Sequence, residues 1–253
     1  MKHFTPRICG LNPARQSGLT LIELMIAIAV GSFLIGGVLM MVQSTRNTFA
    51  TQNLLAQLQD NERLVMTFMA EVIEAAGYYP NPRLYTSAAV LPVAGVFAAA
   101  GQAVFGTQNA VAPGDTVTIR YGAALNDNVF NCRGTTNTGV APFDTFVNRF
   151  WVNNAVAANP VLTCTFANSL GATDVPLVNG VSSLQISYGV KRNPLDTQSC
   201  ADTYLRASQM LAADWSNVCT VKVTVLFINP LNPAQTIPVT RVMTVMGTAG
   251  VNS

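Results

Sequence analysis

With 253 residues, half of them apolar and only 10% charged, the chain excludes intrinsic disorder, which needs low hydrophobicity and high charge. Its 18 glycines and 13 prolines are too few for a collagenous or low-complexity protein. The net charge of +2 comes from Lys2, Arg7 and Arg15 near the start, and without them acids outnumber bases by one, so no basic tract remains to track nucleic acid.

The sole histidine, His3, lies in that same opening stretch. Beyond it the chain has no imidazole for a Ser-His-Asp or Cys-His pair, a general base or a metal ligand. Leu19 to Val42 follows as an apolar run whose only ionisable side chain is Glu23. As a helix it spans about 36 Å, enough to cross a bilayer. The basic residues ahead of it predict a cytoplasmic N-terminus and export of everything after Val42. A secretory signal would be cut beyond the apolar run, yet the Ala-x-Ala pattern, Ala27-Ile28-Ala29, lies inside the run.

What stands before the run is Gln16-Ser17-Gly18-Leu19-Thr20-Leu21-Ile22-Glu23-Leu24. Basic leader, Gly18, an acid five residues later and an unbroken apolar helix together resemble the type IV pilin superfamily. The resemblance implies that a prepilin peptidase cuts between Gly18 and Leu19 and methylates the new amine of Leu19. Most family members begin the mature chain with Phe, so Leu19 is a departure that bears on cleavage efficiency. Glu23 makes a case of its own, because a carboxylate held at depth in a membrane helix costs about 2.5 to 3.5 kcal/mol unless it is partnered. The amine freed at Leu19 of a staggered neighbouring helix is the partner expected, which would set filament register.

Beyond Val42 the polar residues Gln43, Ser44, Arg46, Asn47, Gln52 and Asn53 appear, while Leu55, Leu58, Val65, Met69, Val72 and Ala76 keep one helix face apolar. Glu62 occupies a gap in that stripe. With no proline from Leu19 to Ala76, the pattern predicts one helix about 87 Å long, closed by Gly77 and Pro80. Its first half (19–42) would span the membrane and its amphipathic second half (43–77) would lie on a soluble head (78–253), the pilin lollipop.

In the head, Tyr78 to Gly114 reads as a meandering connection with at most a short strand. Thr116 to Tyr121, Leu184 to Tyr188 after a turn at Asn179-Gly180, Cys219 to Ile228, and Ile237 to Met246 alternate as strands. A short helix is expected from Thr203 to Ala213, with Asp202 near its start. The predicted class is α+β, a mostly antiparallel sheet carrying the long helix. Phe143, Phe146, Phe150 and Trp151 around Arg149 are read as core rather than as a sticky surface. Loops 78–114 and 126–160 are where ligand specificity would sit.

Cys9 falls in the leader, which leaves Cys132, Cys164, Cys200 and Cys219 in the exported part. Four cysteines in an exported chain read as two disulfides with three possible connectivities. Cys132 with Cys164 and Cys200 with Cys219 is favoured, because sequential neighbours close the shorter loops and each bridge would pin an insertion to a strand. Each would contribute about 3 to 4 kcal/mol. No Cys-x-x-Cys pair accompanies them, so a zinc site is not expected, and the scattered acids form no calcium or phosphate motif. No metal, cofactor or enzymatic activity is expected.

Leu177 to Gly189 and Glu71 to Tyr79 resemble the PilW family of minor pilins. That likeness is strong over residues 15–80 and thinner over 115–230. It implies a subunit that primes type IV pilus assembly at or near the tip. Its partners would be other minor and major pilins, the prepilin peptidase, the inner-membrane assembly platform and a large tip adhesin. The implied location is the inner membrane, with a periplasmic head, and then the pilus on the cell surface. A J-type minor pseudopilin of a type II secretion system and a pilin-stalked adhesin are the alternatives.

Overall fold

A computed structural model describes residues 18, 20–109, 113–156, 159–193 and 200–245. Chain contacts divide the protein into two units, residues 1–52 and 53–253. The long helix α1 runs Leu21–Glu74, somewhat shorter than the span expected from the sequence, with Ala75 to Gly77 forming a turn. Gly77 takes φ of 77°, the left-handed conformation that ends helices, and its N–H donates to the Arg120 carbonyl at 3.0 Å. The chain thereby passes from helix directly onto a sheet.

Within the second unit the last three turns of α1 bury Val65, Met66, Met69, Ala70, Val72 and Ile73, and the turn that follows buries Ala76. The apolar stripe therefore works from Val65 onward, while Leu58 is only half-buried and Leu55 is exposed. Met69 and Ile73 are fully enclosed, each worth about 1.5 to 3 kcal/mol of burial.

Two antiparallel sheets replace the single sheet expected. The first is a five-stranded meander of β1 (Val104–Thr107), β2 (Thr116–Ala124), β3 (Phe143–Asn153), β4 (Val161–Asn168) and β5 (Gly171–Asn179). The second is ordered β7-β6-β8-β9, with β6 Val181–Val190, β7 Thr203–Leu205, β8 Val218–Ile228 and β9 Thr236–Thr244. Gly180, at φ 78°, turns the chain from β5 into β6 and so from one sheet to the other. A one-turn helix, α2 (Ser87–Val90), is capped by the Thr86 hydroxyl, which accepts from the Ala89 N–H at 3.3 Å. One core joins the α1 stripe to inward residues of both sheets, among them Val117, Ile119, Phe146, Phe150, Ile186, Val221, Val223 and Val225.

The sheets are stitched where β2 begins. Asp115, 3% exposed, accepts from the Ile186 N–H at 2.8 Å and the Asn109 N–H at 3.0 Å, while its own N–H donates to the Leu184 carbonyl at 2.7 Å. Gly114 allows this approach, because at φ 93° a Cβ would stand 2.3 Å from the Leu184 carbonyl oxygen. Asp115, one of the scattered acids of the sequence, is thus a buried link between the sheets.

Three expectations are corrected. The segment from Thr203 to Ala213 is not a helix, since Tyr204 and its neighbours pair with β6 as β7, followed by 3-10 turns at Ala207–Gln209 and Asp214–Asn217. Asp202 caps no helix either; its carboxylate accepts from the Arg192 and Asn193 N–H groups and ties β7 to the end of β6. Residues 126–160 are not one variable loop, because Phe143–Asn153 forms β3 with Phe146 and Phe150 in the core and Trp151 half-buried on the opposite face. The end of β9 at Thr244 falls short of Met246, which lies outside the described residues.

Two tyrosines sit deep in this core. Tyr121 donates its hydroxyl to the Phe130 carbonyl at 2.7 Å and Tyr188 to the Thr116 carbonyl at 3.4 Å. Burial pushes both phenols well above the ordinary value of 10.0, and nearby acids, Asp127 and Asp115 respectively, push them further. A folded-state pKa above the unfolded one gives stability that is complete below pH 10.0 and drains away as pH climbs beyond it. Alkaline titration followed by phenolate absorbance is expected to leave Tyr121 and Tyr188, of six tyrosines, protonated until the head unfolds cooperatively. Smooth ionisation of all six with the fold intact would contradict the packing.

Candidate functional site

The first unit offers a surface rather than a pocket. Gly18 is exposed, and Leu19, the residue expected to carry the new terminus, lies outside the described residues, as do residues 1–17. Thr20 opens α1. Its carbonyl accepts from the Glu23 N–H at 3.1 Å and the Leu24 N–H at 3.2 Å, and its hydroxyl exchanges longer contacts of 3.4 Å with the Glu23 N–H and carboxylate. Thr20-x-x-Glu23 is thus the spacing of a capping box, with the acid in the first turn where the helix dipole favours negative charge. The sequence expectation for Glu23 concerns its depth in the membrane and its pairing with an amine; the Thr–Glu spacing is the signal for its capping geometry.

Apart from Glu23, the helix from Leu21 to Val42 is apolar on every side and unpacked. Leu21, Ile22, Ile28, Phe33, Leu34, Val38 and Met40 are all exposed, and the best 18-residue window has a mean hydropathy of 2.4 with none of it buried. The hydroxyls of Ser32, Thr45 and Thr48 donate to the carbonyls of Ala29, Met41 and Ser44, so these polar side chains satisfy themselves within the helix. By length and composition this helix can cross a membrane. Leaving so much apolar surface in water is unfavourable, so the helix requires lipid or other apolar helices around it.

The second unit carries the cross-links and the buried charges. Cys132 is joined to Cys164 and Cys200 to Cys219. The first bridge fastens the connection between β2 and β3 to β4, where the Cys132 N–H also donates to the Asn148 side chain at 2.9 Å. The second fastens the chain after β6 to β8. On that side Arg192 and Asp214 form the one ion pair among the described residues, which raises the guanidinium pKa and lowers that of the carboxyl through their direct hydrogen bond.

Among the described residues Arg120 has no acidic partner. It projects from the outward face of β2, 1% exposed, and donates to the carbonyls of Leu91 at 3.2 Å and Ala99 at 3.1 Å and to those of Pro92 and Gln102. The guanidinium also lies 4.2 Å from the Phe97 ring centroid. One side chain thus gathers the whole 91–102 connection against the sheet, and burial pulls its pKa down to about 10. Nothing in the sequence reading singled it out.

Among the described residues no group of three or more His, Cys, Asp and Glu side chains converges to hold a metal. What the molecule presents is an apolar helix with one acid at its capped start, and a cross-linked β head. Comparison with family models gives two matches. Residues 149–247, from within β3 through the whole second sheet, match the type IV pilus-assembly protein W family, PilW. Residues 13–39, which take in Gly18 and all but the last three residues of the apolar run, match the prokaryotic N-terminal methylation motif. Together they show the resemblance to type IV minor pilins at both ends of the chain. No curated protein and no solved structure matches significantly.

Proposed function

We propose that this protein is a minor pilin that helps prime type IV pilus assembly and sits at or near the pilus tip. The observation that carries the reading is the wholly apolar, unpacked helix with Glu23 alone at its start, attached to a disulfide-bonded head whose sequence matches the PilW family. Prepilin peptidase cleaves between Gly18 and Leu19 and methylates Leu19. The helix then waits in the inner membrane with the head in the periplasm, and leaves the bilayer by exchanging lipid for the helices of neighbouring pilins. That exchange costs little, because apolar surface stays covered throughout. Glu23 pairs with the Leu19 amine of an adjacent subunit, and the head meets other minor pilins, the assembly platform and a large tip adhesin.

The test is a deletion strain scored three ways. Loss of surface pili and of twitching, restored by the wild-type gene, is the expected result. Loss of exoprotein release with normal pili would overturn it in favour of a J-type pseudopilin, and normal piliation with poor attachment would overturn it in favour of a stalked adhesin.

A further inference from the structure

Each sheet ends in two edge strands, and they are not equally guarded. β1 and β7 have only four and three residues, while β5 carries Pro176, Asp174 and an irregularity in its pairing with β4. β9 instead pairs with β8 over all nine of its residues without a register shift. Just past its end the Val245 N–H donates to the Cys219 carbonyl at 2.8 Å. With Thr244 opposite Thr220, that bond makes the odd-numbered residues of β9 the hydrogen-bonded partners of β8. The N–H and C=O groups of Thr240, Val242 and Thr244 therefore point away from the sheet. Pro238 falls at the same kind of position, where its missing N–H costs no bond to β8.

From Val239 to Thr244 neither proline nor bulge interrupts the outer edge. The one charge there is Arg241, which is exposed, shares the face of Val239 and Met243, and donates to the Met66 carbonyl at 3.5 Å. Among the described residues no carboxylate lies within ion-pair distance of it. A charge on that face penalises an arriving strand that is wholly apolar and favours one that brings an acid.

We infer that the β9 edge takes an extended segment of a different polypeptide as a fifth strand of the second sheet, antiparallel like its other pairings, with an acid beside Arg241. Three features select that occupant. Donors and acceptors alternating at strand spacing are matched by the backbone of another strand and by no small ligand. Thr240, Val242 and Thr244 are β-branched and exposed on the outward face, Val242 to 50%, so they offer cross-strand contacts as well as backbone bonds. A second copy of β9 would bring no acid, because Thr236–Thr244 contains none. The inference concerns an edge of the head and holds whether or not the subunit primes a filament.

The experiment follows amide hydrogen exchange by NMR on the full chain in lipid nanodiscs. In the free chain Val239, Arg241 and Met243 are expected to exchange slowly and Thr240, Val242 and Thr244 fast. The probe is acetyl-Thr-Val-Thr-Glu-Thr-Val-Thr amide, compared with the same peptide N-methylated at its third and fifth residues and with Lys in place of Glu. The first peptide is expected to slow exchange of the three outward amides saturably and to bind at least about tenfold more tightly than the N-methylated one. Val242→Pro repeats what Pro238 already does in this strand, so it should keep the head folded by circular dichroism while weakening the peptide at least about tenfold. Arg241→Gln should abolish the preference for Glu over Lys. Slow exchange of the outward amides in the free chain, no saturable protection, equal binding of the N-methylated peptide, or no effect of Val242→Pro would overturn the site. Equal binding of the Glu and Lys peptides would overturn the acid assignment, and protection that grows with protein concentration alone would overturn the different polypeptide in favour of a second copy.

Discussion

Glu23→Ala is expected to leave cleavage and methylation of the precursor intact while cutting incorporation into filaments at least tenfold. Among the described residues the carboxylate is engaged by the Thr20 hydroxyl at 3.4 Å, a weak contact. Among packed apolar helices an unpartnered carboxylate costs about 2.5 to 3.5 kcal/mol, and the methylated amine of a neighbour would offset that cost while fixing the axial stagger. Removing the acid strands the amine in turn, a loss of about 2 to 5 kcal/mol where the pair is desolvated, which is more than tenfold in a binding constant. The capping geometry offers a rival explanation that the same experiment separates. Thr20→Ala weakens the cap by about 1 kcal/mol and leaves the charge, so it should assemble nearly normally. Equal incorporation of Glu23→Ala and wild type in purified pili, or equal defects in the two variants, would contradict the pairing.

Arg120→Met is expected to destabilise the head by about 3 to 5 kcal/mol. The methionine fills much of the same volume but leaves the carbonyls of Leu91, Pro92, Ala99 and Gln102 facing an apolar side chain, and each buried acceptor without a donor costs about 1 to 3 kcal/mol before the loop relaxes. For a domain of this size that corresponds to a drop in Tm of roughly 10 °C. Arg120→Lys should recover only part of the loss, because an ammonium has three donors on a point charge and cannot reproduce the planar fork that spans four carbonyls. Thermal unfolding followed by circular dichroism measures both, and hydrogen exchange should place the loosening in residues 91–102. A change below about 1 kcal/mol for Arg120→Met would mean that the 91–102 connection is held by something other than this guanidinium.

The parts of the fold legible in the sequence are those where one periodicity ran without interruption. The proline-free helix, the clean alternation of Val221, Val223, Val225 and Phe227 in β8, and the Asn179-Gly180 turn between β5 and β6 were read directly. β3 was missed because Asp144 and Asn148 share the buried face with Phe146 and Phe150, while Val147 and Trp151 sit on the other, so polarity did not follow the pleat. β5 was missed because Pro176 and mostly exposed residues suit an edge strand but carry little apolar signal. At Arg120 the alternation placed the residue correctly on the face of β2 that bears Thr116 and Thr118. It did not reveal that residues 91–102, distant in sequence, fold over that face and turn a solvent position into a buried cation. The Thr203 to Ala213 error has the same origin, since pairing of Tyr204 with Gly189 prevailed over local helix propensity.

The N-terminal features behaved differently, being local and chemical. Gly18, Glu23 and the apolar run needed no tertiary context to be recognised, and the match to the methylation motif takes in Gly18, Glu23 and the run as far as residue 39. The head needed tertiary context, and there the family match covers the region whose second sheet was largely read from alternation.

The most direct measurement is mass spectrometric sequencing of the N-terminus of protein recovered from the membrane and from sheared pili. A mature chain that begins at Leu19 with a methylated amine is the predicted result in both fractions. A chain that begins at Met1, or beyond Val42 with the apolar run removed, would contradict a subunit that keeps its helix as the means of polymerisation.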